Sequence, residues 1–339
     1  MASEMAEQPR VLEALAARRG ELTARVRAVL PPAPAGVVLV ARGSSDNAAV
    51  YGRYVLELAT GRPVALAAPS LVTRYHLHGD LEGWLAVGVS QSGRTPEIVT
   101  VLEQLGASGA RTIAITNAAD SPLADVAQAT IDTAAGDELA VPATKTVTAQ
   151  VAAFAVLGEA AAHDPARLPW TAGDWDGLPG AVADLLADPE PARRTAAAIG
   201  DAPGLVVAAR GILLGAALET ALKLKETTAI LAEGASAADF LHGPIAVVRD
   251  GLPVLTLSSG GPAAGDLDDL AAEVRRRGGR VLTCAAHAGA DLPLPASVPE
   301  GLASVGVIVR AQQLAHALAL DRGIDPDAPF GLSKVTITR

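Results

Sequence analysis

Trp84–Gly109 reads WLAVGVSQSGRTPEIVTVLEQLGASG, and its pattern changes twice along its length. Leu85–Val89 is a short apolar run of the kind that forms a buried strand. Ser90–Thr95 is a turn of small and hydroxylated residues. Pro96 fits the first position of a helix, and Glu97 complements the positive helix end that follows. The same sequence of strand, small-residue turn and helical stretch occurs before it, in GVVLVARGSSDNAAVYGRYVLEL (Gly36–Leu58), and after it, in ARTIAITNAADSPLADVAQ (Ala110–Gln128). Strands alternating with helices predict βαβ units around a parallel sheet. Helices on both faces of such a sheet explain why the strands are continuously apolar.

The pattern then begins again. Ala41-Arg42-Gly43 after VVLV matches Ala209-Arg210-Gly211 after LVVA, and 210 − 42 = 168. Val89-Ser90 matches Leu257-Ser258, where 258 − 90 = 168, and Gly109–Asn117 matches Gly278–Ala286 at an offset of 169. Three matches at nearly one spacing point to an internal duplication, the alternative being chance similarity among Gly-rich turns. Ligands of doubly wound sheets sit beyond the carboxyl ends of the strands. Ahead of the first copy, Val11, Leu12, Leu15, Leu22, Val26 and Leu30 recur at helical spacing until Pro31-Pro32. Between the copies, HDPARLPWTAGDWDGLPG (His163–Gly180) reads as a connection, followed by a helix before Asp201. The expected division is 1–165, a connection and helix over 166–203, a second domain over 204–324, and an irregular tail over 325–339.

Of 339 residues half are hydrophobic and 19% charged, so sizeable cores are possible, and with aromatics at only 3% they must be filled by Ala, Val and Leu. The net charge of −10 argues against nucleic acid or an anionic membrane surface as partner. It leaves open an anionic small molecule, which a few local N–H groups can hold. The single cysteine, Cys284, excludes an internal disulfide and reads as a small hydrophobe buried in a strand. The N-terminal stretch does not read as a secretory signal, and the longest apolar run, Ala149–Ala162, is shorter than a bilayer span and contains Glu159. A cytoplasmic location is expected.

Two segments stand out chemically. In Ser90-Gln91-Ser92-Gly93-Arg94-Thr95, hydroxyls and free amides converge at a helix start, where a phosphate would be welcome; a plain capped turn is the alternative. Ser44-Ser45 is a second such turn. In ALETALKLKE (Ala217–Glu226), Glu219, Lys223 and Glu226 fall on one stripe of a helix. Buried, that line would shape groups for proton transfer; exposed, it would be an ordinary i,i+4 pair. His242 lies in a turn shortly after. The His76–His78 pair has no companion carboxylate cluster, and no metal is expected there.

Taken in order, RGSSDNA, VSQSGRTPE, DELAVPATKTVTAQ, ALETALKLKE, LHGP and GLSK resemble the sugar isomerase (SIS) domain proteins. Within them, they resemble the isomerase half of glutamine–fructose-6-phosphate aminotransferase and its stand-alone amino-sugar-phosphate relatives. The resemblance implies two SIS domains, each a three-layer αβα sandwich around a parallel sheet, and a homodimer with sites near the interface. It implies that Ser90, Gln91, Ser92 and Thr95 bind the phosphate of a sugar and that Ser44 and Ser45 line the same pocket. Val141 and Ala143 would contact the sugar. Glu226 would move a proton between C1 and C2, supported by Lys223 and Glu219. His242 would open the ring from the partner subunit. Lys334 of the tail would engage the open-chain carbonyl. No cofactor is implied.

There are departures from that pattern. Ala143 stands where the synthase has Ser, and Arg94 where it has an acid; the latter, with RGSSD, is closer to the stand-alone deaminases. The chain starts Met1-Ala2 rather than with a nucleophilic cysteine, so a glutaminase is not expected. The expected activity is conversion of glucosamine 6-phosphate to fructose 6-phosphate and ammonia. The alternatives are another phosphosugar isomerase, a fructosamine-6-phosphate deglycase, or a non-catalytic sugar-phosphate sensor.

Overall fold

The turn-and-helix grammar of the sequence is realised as two five-stranded parallel sheets. The computed structural model describes residues 1–329, 331, 332 and 334; Ser333 of the GLSK motif and residues 335–339 of the tail lie outside the described residues. By its internal contacts the chain forms two compact units. One consists of Arg10–Glu138 with Lys145–Thr171, the other of Met1–Pro9 with Leu139–Thr144 and Ala172–Lys334.

A short helix α1 (Ala2–Ala6) and a long helix α2 (Gln8–Arg27) open the chain, and α2 ends ahead of Pro31-Pro32. The first sheet is built from β1 (Val37–Val40), α3 (Ser44–Thr60), β2 (Val64–Leu66), α4 (Pro69–Thr73), β3 (Leu85–Ser90), α5 (Pro96–Ala107), β4 (Arg111–Thr116), α6 (Pro122–Asp125), β5 (Ala129–Asp132) and α7 (Lys145–Ala161). Its strand order is β2-β1-β3-β4-β5. Every residue of β3 is buried, as a strand covered on both faces requires. One side of the core joins Val40, Ala86 and Ala114 of the sheet to Ile98, Val101 and Leu102 of α5. On the other, α3 and α7 approach closely because glycines stand at the contact. A Cβ on Gly52 would lie 2.3 Å from the Phe154 ring, and one on Gly158 2.3 Å from Val55. This is how a chain poor in aromatics reaches core density. All but the last residue of the apolar run 149–162 falls in α7, almost all of which is buried.

The second unit continues with α8 (Asp174–Ala187), α9 (Glu190–Ile199), β6 (Gly204–Ala209), α10 (Leu214–Thr228), β7 (Leu231–Ser236), α11 (Ala237–Leu241), β8 (Pro253–Ser258), α12 (Ala264–Arg276), β9 (Arg280–Ala285), β10 (Leu292–Pro293) and α13 (Glu300–Asp321). Its sheet, β7-β6-β8-β9-β10, repeats the order of the first. The strands also explain the sequence offsets: β8 begins 253 − 85 = 168 residues after β3, and β9 begins 280 − 111 = 169 after β4. Asp174–Gly180, which reads as connection, is already helical. Trp175 and Leu178 are buried at 1% exposure each and hold α8 together through Pro179. Helix α13 is long and apolar enough to cross a membrane by composition, yet 94% of its apolar window is buried. It packs against α8, α9 and α10 as a core helix. Cys284 lies in β9, and burial pushes its thiol up to about 12.

Candidate active site

In the first unit, β1 and β3 are adjacent parallel strands, and the chain leaves them in opposite directions, towards β2 and towards β4. That divergence opens a crevice beyond their carboxyl ends. Ser44 and Ser45 start α3 on one side of it, and Ser90–Thr95 join β3 to α5 on the other. Both helices direct their positive N-terminal ends at this edge of the sheet. The Ser90 and Thr95 hydroxyls are 3.2 Å apart, and the Ser92 hydroxyl accepts from the Arg94 amide at 3.2 Å. The Gln91 carbonyl accepts from the Asn117 amide at 3.0 Å and the Thr116 hydroxyl at 3.3 Å, which fixes the loop to the end of β4. Gly93 takes φ +62°, and a Cβ there would lie 2.0 Å from the Ser121 hydroxyl. Arg42 Nε donates to Glu97 at 3.0 Å and ties the two loops together. Burial raises the Asp46 carboxyl above its ordinary value, against the opposing pull of Arg42. Hydroxyls and amides converging on one crevice can hold a small anion.

The second unit has the corresponding crevice at β6 and β8, with Arg210 donating to Asp266 at 2.9 Å as Arg42 does to Glu97. Its turn, Ser258–Pro262, has fewer hydroxyls. The carboxylate of Glu300 lies over it, 2.0 Å from where a Cβ on Gly261 would stand, and burial raises this carboxyl.

Helix α10 carries the Glu219–Lys223–Glu226 stripe, and the surface-pair alternative does not hold. The Lys223 side chain is fully buried and Glu219 is 1% exposed, while Glu226 reaches 24%. Lys223 Nζ donates to Glu226 Oε2 at 2.6 Å and stands 3.5 Å from Glu219 Oε1. The ammonium thus occupies one oxygen of the partly open carboxylate and holds the group in one orientation.

The strip Leu139–Thr144, which contains Val141 and Ala143, belongs to this second unit. The Val141 amide donates to the Asp327 carbonyl at 3.1 Å, and Gln312 of α13 donates to the Thr144 carbonyl at 3.1 Å. Lys334 Nζ donates to the Ala140 carbonyl at 2.6 Å, so the tail lysine and the strip meet. His242 caps α11 and is exposed, as are Leu241 and Val247 on either side of it. Its backbone amide donates to the Ala238 and Asp239 carbonyls. His76 has φ +51°, and His78 is hydrogen-bonded to Gln104 at 2.8 Å. No cluster of three His, Cys, Asp or Glu occurs among the described residues.

Two contributors escaped the sequence. Asn117 accepts from the Ala135 amide and Thr133 hydroxyl, and donates to the Gly136 carbonyl, so one side chain holds the chain beyond β5. Glu4 accepts from the amides of Leu139 and Ala140. Neither leaves a periodic trace; an acid in an Ala- and Met-rich first turn is the one hint of Glu4.

The SIS domain family matches residues 35–160 and 199–296. A glutamine–fructose-6-phosphate aminotransferase (isomerizing) of Pyrococcus horikoshii is 31% identical over 309 residues, covering 88% of this chain and 51% of that protein. The chain spans about half the length of the curated relatives it matches. A structure from Silicibacter pomeroyi DSS-3, provisionally assigned as a phosphosugar isomerase, is 36% identical with a TM-score of 0.86, covering 96% of this chain and 99% of that one. The C-terminal domain of glucosamine-fructose-6-phosphate aminotransferase from Francisella tularensis gives a TM-score of 0.82 at 23% identity, covering 96% and 97%; this is a likeness of fold.

Proposed function

The chain belongs to the SIS domain family, and on that premise we propose that it is a phosphosugar isomerase that converts glucosamine 6-phosphate to fructose 6-phosphate and ammonia. The observation that carries the reading is the buried Lys223 ammonium 2.6 Å from the Glu226 carboxylate. A buried ion pair is seldom more stabilising than apolar side chains of similar volume. Its presence in an Ala- and Leu-rich helix is better explained by chemistry than by stability.

In this reading Ser90, Gln91, Ser92 and Thr95 hold the phosphate at the positive end of α5, and Ser44 and Ser45 complete the pocket. Val141 and Ala143 face the sugar. His242 moves the proton that opens the ring. It is contributed by the partner subunit of a homodimer, a role supported by its exposed position among Leu241 and Val247. Glu226 takes the C2 proton, and the electron pair becomes the C1=C2 bond as the C1 carbonyl gains a proton. Lys334 stabilises the oxygen that carries developing charge. Return of the proton to C1 leaves an imine at C2, which water hydrolyses to the ketose and ammonia. Lys223 and Glu219 orient the base.

A panel of glucosamine 6-phosphate, fructosamine 6-phosphate and glucose 6-phosphate, with ammonia assayed and products identified, tests this. Ammonia and fructose 6-phosphate from the first substrate are expected. Folded protein that acts only on fructosamine 6-phosphate would make it a deglycase instead, and one that isomerises glucose 6-phosphate without releasing ammonia would be a plain isomerase.

A further inference from the structure

We infer that Glu4 is a positioning residue for Lys334, acting through the strip that carries Val141 and Ala143. The inference rests on the role proposed above for Lys334 and extends it to a residue at the far end of the chain.

Glu4 is 6% exposed, in the first turn of α1. Its Oε1 accepts from the Leu139 amide and, at 3.1 Å, from the Ala140 amide. The next link is the Ala140 carbonyl, which accepts from Lys334 Nζ at 2.6 Å. One residue therefore stands between the carboxylate and the ammonium: Ala140 meets Glu4 through its amide and Lys334 through its carbonyl. In the same peptide group as that carbonyl, the Val141 amide donates to Asp327 of the tail, whose own amide donates to Asp325 at 2.9 Å. Ala140 is buried, but the neighbouring Leu139 side chain is 83% exposed and adds no apolar anchor to the strip. Hydrogen bonds hold it, and Glu4 supplies two of them from a single atom. Charge-assisted bonds of this kind are stronger than neutral ones and geometrically strict. Removal of the carboxylate frees two amides, lets the Ala140 carbonyl turn, and unseats the tail lysine while leaving the phosphate loop of the other unit untouched.

The test compares Glu4→Ala, Glu4→Asp and Glu4→Gln in the full chain. Lys334 acylation by an amine-reactive reagent, read by mass spectrometry, is expected to quicken about tenfold in Glu4→Ala, the scale of one lost hydrogen bond. Glu4→Asp, shorter by one methylene, falls between. Glu4→Gln keeps an accepting oxygen without the charge and recovers most of the wild-type rate. With glucosamine 6-phosphate, kcat of Glu4→Ala falls on the order of a hundredfold, as for a misplaced reacting group, with KM unchanged. Equal Lys334 reactivity in all variants, or Glu4→Gln as impaired as Glu4→Ala, overturns the inference. Should Glu4→Ala not fold, the Asp and Gln variants decide by the same ordering. Absence of turnover in the wild type would refute the proposed substrate, and the labelling would still decide the role of Glu4.

Discussion

At Gly93 the backbone lies at φ +62° and an added Cβ meets the Ser121 hydroxyl at 2.0 Å and that of Thr116 at 2.9 Å. Gly93→Ala therefore combines unfavourable backbone geometry, on the order of 1–3 kcal/mol, with a clash that pushes the loop out of the crevice. Calorimetry with fructose 6-phosphate should show a weaker Kd for Gly93→Ala than for Ser92→Ala, which deletes one hydroxyl at a cost of about 0.5–1.5 kcal/mol. Wild-type affinity in both would remove this loop from phosphate binding. The loop was legible in sequence because hydroxyls, Gly and Pro follow an apolar strand in a fixed order. What pins it was not: Thr116, Asn117 and Ser121 come from the next strand and turn, and only the β3–β4 pairing brings them close.

Helix α10 shows how far spacing can take a reading. The i, i+4, i+7 stripe follows from 3.6 residues per turn, but whether it faces water depends on what packs on the helix, here α13 and β7. Lys223→Ala leaves the buried Glu219 carboxylate uncompensated, and denaturant unfolding should show a loss on the order of 3–5 kcal/mol. Replacing the pair together, Glu219→Leu with Lys223→Met, should recover most of that stability while turnover stays lost. A double variant as unstable as Lys223→Ala would mean that the pair is retained for stability after all. The start of α13 allows a pH test. Burial raises the Glu300 carboxyl above 4.5, so the folded state favours its protonated form. Stability then falls as pH rises from 4.5 through the raised folded value, and Glu300→Gln abolishes that fall. Urea unfolding at pH 4 and pH 7 should show the variant gaining on the wild type at the higher pH; an equal difference at both would contradict the assignment.

Across the whole chain, the duplication was the most legible feature. Equal strand order in the two sheets and strand starts offset by 168 and 169 residues account for the repeated Ala-Arg-Gly and Ser turns. Less legible was what joins distant segments. The Glu4 contact to Leu139 spans 135 residues, and Arg310 of α13 closes the end of α8 by donating to the Leu185 and Asp188 carbonyls at 3.2 and 2.7 Å. Such bonds depend on tertiary arrangement, not on local composition. Pro179 inside α8 is a similar case, in which burial of Trp175 and Leu178 overrides a residue that normally ends helices. The two copies differ at the crevice edge of the sheet: the Glu300 carboxylate lies against Gly261 in the second, while hydroxyls line the turn of the first.

The central claim is that Glu226 transfers the proton of a bound phosphosugar. Its most direct test measures ammonia release from glucosamine 6-phosphate and fructose 6-phosphate binding, side by side, for the wild type and Glu226→Gln. The expected result is ammonia from the wild type, and in the variant an unchanged Kd with kcat lower by on the order of 10²–10⁴-fold. A variant that turns over as fast as the wild type, or a wild type that binds the ketose phosphate and releases no ammonia, would contradict it.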